Sequence, residues 1–457
     1  MDNLEVIILA AGAGTRMRSQ LPKVLQPLAG RPLLAHVLAT AKSLTPKRIH
    51  LVYGHAGDAV KAAFAKENLN WIEQIELRGT GDAVKQALPH TTSGSQLLIL
   101  YGDVPLTRQE TLEALLGHRD NSAIALLSVA LENPSGYGRI VRNSRNAVTA
   151  IVEEKDASAE IKTITEINSG ILTLKQSDAT LWVNQLDNRN AQGEYYLTDI
   201  IAMAVNTGQK VTAVKITDAN EVAGVNTRQQ LAALERSYQL RQAEQLMQQG
   251  VTLIDPSRLD IRGEVSVGND TIIDVNVILS GNVSIGNHGR IGANTIIHNS
   301  TLGNGVTVEA MSQIDGSNIA DECTIGPFAR LRPGSELAPH ARIGNFVEIK
   351  ASQIGEGSKV NHLSYIGDTT MGERVNIGAG TITCNYDGAY KHRTTIGNDA
   401  FIGSDTQLIA PVNVGDGATI GAGSTISKDA SAGGLTLSRA SQKHIANWQR
   451  PQKREAE

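Results

Sequence analysis

Apolar positions along the chain follow two different periods. In the first half, short continuous apolar runs alternate with stretches whose apolar residues recur at helical spacing. Val6 is followed by Ile7, Ile8, Leu9 and Ala10; RIHLVYG occupies 48–54 and QLLILYGDVPL occupies 96–106, with DAVKAAFAKEN (58–68) between them. Such runs suit strands buried on both faces. Their alternation with helical segments predicts an α/β domain over 1–226, a mostly parallel sheet flanked by helices. Residues 228–249 are strong helix formers that carry Leu231, Leu234 and Tyr238 at i, i+3 and i+7, with Gly250 as a stop. They predict a helical linker over 227–250.

Beyond Pro256 an aliphatic residue returns about every six positions. Ile396, Ile402, Leu408, Val414, Ile420 and Ile426 keep that interval, and Ile343, Ile349, Ile354, Val360, Ile366, Met371 and Ile377 keep it with two shorter steps. Neither a helix nor a hairpin sheet has this period; a parallel β-helix does, each unit forming one flat side of a coil with its aliphatic residue inward. The pattern predicts such a solenoid over 251–457, stabilised by stacking of successive coils. ITCNYDGAYKHRTTIG (382–397) breaks the beat and predicts a surface loop holding Asn385, Tyr386 and Lys391.

Composition narrows the function classes. With 457 residues, 41% hydrophobic and 19% charged, the chain reads as globular. A net charge of -4 argues against coating nucleic acid or an anionic membrane. The start, MDNLEVIILAAGAG, lacks a basic region and its apolar run is short, so a cytoplasmic protein is expected. The two cysteines, Cys323 and Cys384, form neither a disulfide framework nor a zinc motif, and suit a reducing compartment.

The first candidate chemistry follows the opening strand. Gly12 and Gly14 allow a tight turn and close approach of a ligand, and free amides there, with Arg16 and Lys23 nearby, suit phosphate oxygens. The turn lacks the third glycine of a dinucleotide fingerprint and the Gly-Lys-Ser/Thr of a P-loop. Asp103 follows the LLIL run at the carboxyl end of its strand, the edge at which open sheets bind ligands. A carboxylate there can hold Mg²⁺, which takes few protein oxygens.

Together the motifs resemble a known family. LAAGAGTRM, LPKV, GTGDAV, YGDVPL, EKDAS, EINSGI, GEYYLTDI and GVNTR resemble the sugar-phosphate nucleotidyltransferases. IGPFARLRPG, GNFVEIK, NHLSYIGD and NIGAGTITCNYDGAYK resemble the acetyltransferase half of the bifunctional enzymes that join an N-acetylglucosamine-1-phosphate uridyltransferase to a glucosamine-1-phosphate acetyltransferase. The likeness runs from residue 4 to about 440.

The resemblance implies acetylation of glucosamine-1-phosphate from acetyl-CoA, then in-line attack of the product on UTP to give UDP-N-acetylglucosamine and pyrophosphate, for bacterial envelope precursors. It implies that Leu9, Ala10, Ala11, Gly12, Gln74, Gly79 and Thr80 line the uridine and phosphate site, that Lys23 meets phosphate, and that Asp103 and Asn226 bind Mg²⁺. Tyr101, Gly102, Gly138, Glu153 and Asn168 complete the sugar pocket, and Leu77 stands where related sequences often carry glutamine. In the second half His362 is the implied general base, with Glu348 orienting its ring. Arg332 and Lys350 grip the sugar phosphate, and Tyr365, Asn376, Asn385 and Tyr386 surround the sugar. Ala379, Ser404, Ala422 and Arg439 meet acetyl-CoA, and backbone amides are candidates for the oxyanion. A left-handed coil and a homotrimer with acetyl sites between subunits are also implied. The alternative is a nucleotidyltransferase whose β-helix only oligomerises or regulates.

Overall fold

The computed structural model describes residues 3–453 apart from Ala13 and His55. The chain divides into two compact units, Met1–Gln239 and Leu240–Glu457. The first is built on nine strands: β1 (Leu4–Ala10), β2 (Arg48–Tyr53), β3 (Asn70–Glu73), β4 (Gln96–Tyr101), β5 (Ile124–Ala130), β6 (Arg139–Arg142), β7 (Val148–Val152), β8 (Glu166–Lys175) and β9 (Val211–Ile216). They lie in the order β9-β5-β8-β4-β1-β2-β3, with β6 and β7 as a hairpin beside β8. Every residue of β1 is buried. Its side chains alternate between two cores, Val6, Ile8 and Ala10 on one face, Ile7 and Leu9 on the other, as an unbroken apolar run requires.

The expected parallel pairing holds for β1 with β2 and β4, for β2 with β3, and for β5 with β9. The sheet is nevertheless mixed, because β8 runs antiparallel to both β4 and β5. Its ladder with β5 shifts register between Asn168 and Leu172. Gly170 lies in this shift at φ +82°, and a Cβ there would stand 2.5 Å from the Tyr101 ring. The irregularity thus lets backbone close over Tyr101. Helix α1 spans Leu33–Ser43, α2 spans Gly57–Ala63 and α3 spans Thr80–Ala87. Helix α2 is shorter than the segment 58–68 expected from its pattern, ending where Phe64 caps the last turn through Val60.

The long helix runs Arg228–Gln248. Leu234 is buried and Leu231 and Tyr238 pack on Met17, Leu28, Leu33, Leu106 and Val225. Gly250, at φ +91°, and Val251 return their amides to Met247 and Leu246, each at 3.1 Å, which stops the helix.

In the second unit short strands stack in parallel ladders that merge into an 11-stranded and a 17-stranded sheet. Partners lie one coil apart: Arg342 pairs with Lys359 and Lys359 with Asn376, steps of 17 residues, and Thr324 pairs with Arg342, a step of 18. Three six-residue sides therefore make a coil. Coil pairing begins at Thr252–Leu253, slightly ahead of Pro256. All the aliphatic residues of the six-residue beat are buried in one continuous core. Two residues before each stands a second inward position, filled by small side chains such as Ser352, Ser358, Ser364, Thr369 and Ala400. Their hydroxyls return to backbone: Ser364 Oγ donates to the His362 carbonyl at 2.8 Å and Ser352 Oγ to that of Lys350 at 2.8 Å.

Ile366 is fully buried and stacks on Ile349 of the preceding coil. Ile366→Ala is expected to destabilise the second unit by about 2–5 kcal/mol, read by circular dichroism during urea denaturation; an unchanged midpoint would contradict the stacked-core account.

Candidate active sites

In the first unit, the carboxyl ends of β1 and β4 open onto a cleft of about 420 Å³. Leu9, Ala10, Ala11, Gly12, Lys23, Gln74, Gly79, Thr80, Tyr101 and Asp103 line it, together with Leu77 and Glu194. Parallel register sets this out: Leu9 lies opposite Tyr101, and the Gly102 amide donates to the Leu9 carbonyl at 2.9 Å. Gly102 is pressed against Ala10 and Val24, where a Cβ would come within 3.1–3.2 Å. Gly14, at φ +61°, lies so close to Lys23 that a Cβ would meet the Lys23 Cβ at 2.7 Å. The glycine turn and the lysine are therefore packed together.

Lys23 ties the floor of the cleft. Its ammonium forms an ion pair with Asp103 Oδ2 and donates to Asn226 Oδ1 at 3.1 Å. Asn226 arrives there because the Val225 amide donates to the Asp103 carbonyl at 2.9 Å, joining segments more than a hundred residues apart. An acid oxygen and an amide oxygen thus converge on one cation. Among the described residues, no three His, Cys, Asp or Glu side chains gather as a metal set.

The expected sugar pocket extends from Tyr101. The Asn168 amide donates to the Gly138 carbonyl at 2.9 Å, and Gly138 lies against Glu153, where a Cβ would stand 3.2 Å from Oε1. Thr198 donates to Glu153 Oε1 at 3.0 Å. Burial pushes the Glu153 carboxyl above its ordinary range, against that hydrogen bond, with Asp199, Asp156 and Glu194 acting in the same direction as burial. Burial also pushes the Tyr101 phenol up, with Glu153 and Asp103 adding to the effect, so it stays a neutral hydroxyl.

The second unit carries its chemistry along one corner of the coil. Asn345 pairs in register with His362. Val360, Ile377, Ile402 and Ile420 pair in succession, so the residues two positions beyond each, His362, Ala379, Ser404 and Ala422, form one column. Arg439 joins this column by donating Nη1 to the Ala422 carbonyl at 2.8 Å. His362 is exposed at the corner, and its Nδ1 meets Asn345 Oδ1 at 3.1 Å.

Beside that column is a charged cluster. Glu348, contrary to expectation, makes no hydrogen bond to the His362 ring among the described residues; its carboxylate accepts from Arg332 Nη1 at 2.9 Å, and Asn345 meets the ring. Lys350, only 17% exposed, donates to Asp368 Oδ2 at 3.1 Å. Asn385 Nδ2 bonds the same carboxylate oxygen and lies 3.4 Å from the Tyr365 hydroxyl. Lys391 of the inserted loop approaches Lys350, whose neighbouring charge holds the Lys391 ammonium below its usual range. Tyr386 lies in the same loop, exposed, its hydroxyl bonded to the Gly388 carbonyl at 2.6 Å. Asn376 stands apart from this cluster: it pairs with Lys359 and Phe401 on the adjoining face of the coil.

Residues 6–166 match the family of the MobA-like NTP transferase domain, and residues 393–428 match six bacterial transferase hexapeptide repeats. A protein of Marinobacter nauticus, bifunctional protein GlmU, is 54% identical and covers 99% of this chain and 100% of its own length. Proteins of the same name from Stutzerimonas stutzeri and Acinetobacter baumannii are each 56% identical, over 99% and 98% of this chain and 100% and 98% of theirs. The chain belongs to the GlmU family. As a GlmU-family member matched end to end, it is a bifunctional enzyme, an N-acetylglucosamine-1-phosphate uridyltransferase and a glucosamine-1-phosphate N-acetyltransferase. The second unit is the left-handed parallel β-helix of hexapeptide repeats that the motifs implied. No helix among the described residues is long and apolar enough to cross a membrane.

Three residues at these GlmU-family sites escaped the sequence reading: Asn345, Asp368 and Glu194. For Asn345 a signal existed, since it precedes His362 by 17 residues, one coil. The contact of Gly14 with Lys23 gives a direct test. Gly14→Val should force Lys23 out of place and lower kcat/KM for uridyl transfer by about 10²-fold, the scale of a 1 Å misplacement; acetyl transfer measured on the same preparation should keep its rate.

Proposed function

We propose that the cleft of the first unit holds UTP and N-acetylglucosamine-1-phosphate. The observation that carries the reading is the Lys23 ammonium shared by Asp103 and Asn226 beneath the glycine turn. The transferred phosphoryl group is polyanionic, so neutralisation and alignment supply most of the catalysis. Lys23 supplies a positive charge at the phosphates, and the backbone at Ala11 and Gly12 approaches them without a bulky side chain in the way. Glu153, Asn168 and Gly138 orient the sugar, and neutral Tyr101 closes the pocket beneath Gly170. Two oxygen donors already converging on one cation suit Mg²⁺, which fills its shell with water and phosphate; Asp103 and Asn226 would hold it. The ion, when bound, spreads charge from the phosphate oxygens.

In the second unit His362 removes a proton from the glucosamine amine as it attacks the acetyl-CoA thioester. Asn345 Oδ1 can only accept a hydrogen bond, so Nδ1 carries the hydrogen and Nε2 is left as the base. Arg332 and Lys350 bind the sugar phosphate, the first as a fork of donors and the second as a point charge. Ala379, Ser404 and Ala422 continue the His362 column as a narrow, small-residue track for acetyl-CoA, with Arg439 at its end.

A strip of exposed apolar residues runs beside the same corner. Met311, Phe328, Phe346 and Leu363 occupy equivalent left-handed positions in successive coils, and the Phe328 and Phe346 rings, 50% and 56% exposed, stack at 5.3 Å. Such a strip calls for cover by protein and supports a homotrimer whose subunits meet at the acetyl site. A cytoplasmic location suits the two free thiols.

His362→Ala should lower acetyl transfer by about 10²- to 10⁴-fold and leave uridyl transfer intact, whereas Asp103→Asn should do the reverse; loss of neither activity in the pair would defeat the assignment. Asn345→Ala should shift the pH–rate profile of acetyl transfer as well as its height, since the tautomer is no longer imposed. A profile of unchanged shape and height would mean that Asn345 does not position the base.

A further inference from the structure

Gly79 caps helix α3, which opens with Thr80, Gly81 and Asp82, and the Asp82 carboxylate turns inward. It is buried, with Oδ2 accepting from Gln74 Nε2 at 2.7 Å and Oδ1 accepting from Gln86 Nε2 at 3.3 Å. The same Gln74 nitrogen also donates to the Gly79 carbonyl at 3.1 Å. Gln74 is 4% exposed, yet it lines the cleft. Both hydrogens of its amide are therefore engaged by acceptors, and Oε1, which has no hydrogen-bond partner among the described residues, is the end left to the cleft. A half-turn of the amide would set Oε1 against a carboxylate oxygen and a carbonyl oxygen at once, none of which can donate.

We propose that Asp82 is a positioning residue for nucleotide choice: it fixes Gln74 as an acceptor toward the base and thereby selects uracil over cytosine. The inference rests on reading the cleft as the uridine site. Uracil carries a hydrogen on ring nitrogen N3, between two carbonyl oxygens. Cytosine has a bare N3 beside an amino group. An immobile acceptor opposite N3 bonds the first and repels the second. A mobile amide would turn its nitrogen to cytosine and serve both. Discrimination against a base that leaves a buried polar group unpaired is the strong kind.

The test is the ratio of kcat/KM for UTP to that for CTP, with N-acetylglucosamine-1-phosphate as acceptor, in the full chain. Asp82→Asn replaces an obligate acceptor with an amide that can also donate, and should lower the ratio by at least about tenfold, chiefly by raising turnover of CTP. Asp82→Ser, whose hydroxyl can donate or accept, should move the ratio the same way and serves if the first variant does not fold. Gln74→Ala separates the two layers of the argument. If it collapses the ratio while both Asp82 variants keep the wild-type value, Asp82 has no part in selection and the inference falls. If none of the three variants changes the ratio, the base is not read at Gln74, and the uridine-site reading falls with it.

Discussion

Parallel register is the constraint on which both sites depend. When neighbouring strands run the same way, the residues that leave them emerge at one edge. In the first unit this sets the turn after β1 beside Gly102 and Asp103 after β4, although about ninety residues of chain separate them. In the second it stacks Asn345 on His362 and continues through Ala379, Ser404 and Ala422. Antiparallel hairpins would have sent alternate exits to opposite edges. The buried aliphatic residues do more than stabilise, since slipping either ladder by one residue would turn inward-facing side chains outward and scatter the site.

The two sites also share an electrostatic plan. Each keeps its cations close to carboxylates of its own: Lys23 with Asp103, Lys350 with Asp368, Arg332 with Glu348. A partly buried ammonium without such a partner would lose proton affinity to desolvation. For Lys350 the Asp368 carboxylate acts in the opposite direction to burial and helps hold the ammonium above its ordinary range; under the proposed function, an arriving phosphate would exchange one anionic partner for another. Lys391, on the exposed loop, has Lys350 for a neighbour and is held below its ordinary range. That crowding of like charge is relieved by an anion placed between them.

Much of the fold was legible because its signals are local or periodic. The apolar run before Gly12 and the six-residue beat each follow from side chains that must face one way, and Gly250 ends its helix through a backbone angle that glycine adopts readily. The antiparallel course of β8 was not legible, since strand direction leaves no mark in composition. Among site residues, those drawn from glycine-rich motifs fell where the cleft is. Glu348 had been expected at the His362 ring, whereas on a coil the ladder neighbour of a corner residue lies 17 positions away, so Asn345 meets the ring and the Glu348 carboxylate bonds Arg332. The Asp82–Gln74 bond was hidden likewise, because it joins the start of α3 to the segment just after β3.

The step from Asn376 to Phe401 is 25 residues, where neighbouring coils take 17 or 18. The excess leaves the solenoid between Cys384 and Thr394 and returns without disturbing the ladders on either side, since Thr369 still pairs with Thr394 and Cys384 with Ile409. Because each turn of the spiral touches only the turns above and below it, this excursion can lengthen, shorten or change its charge without altering the frame. The β-helix is thus a fixed ruler with one adjustable finger that carries Asn385, Tyr386 and Lys391, and change of side-chain chemistry in this architecture is open there and constrained on the stacked coils.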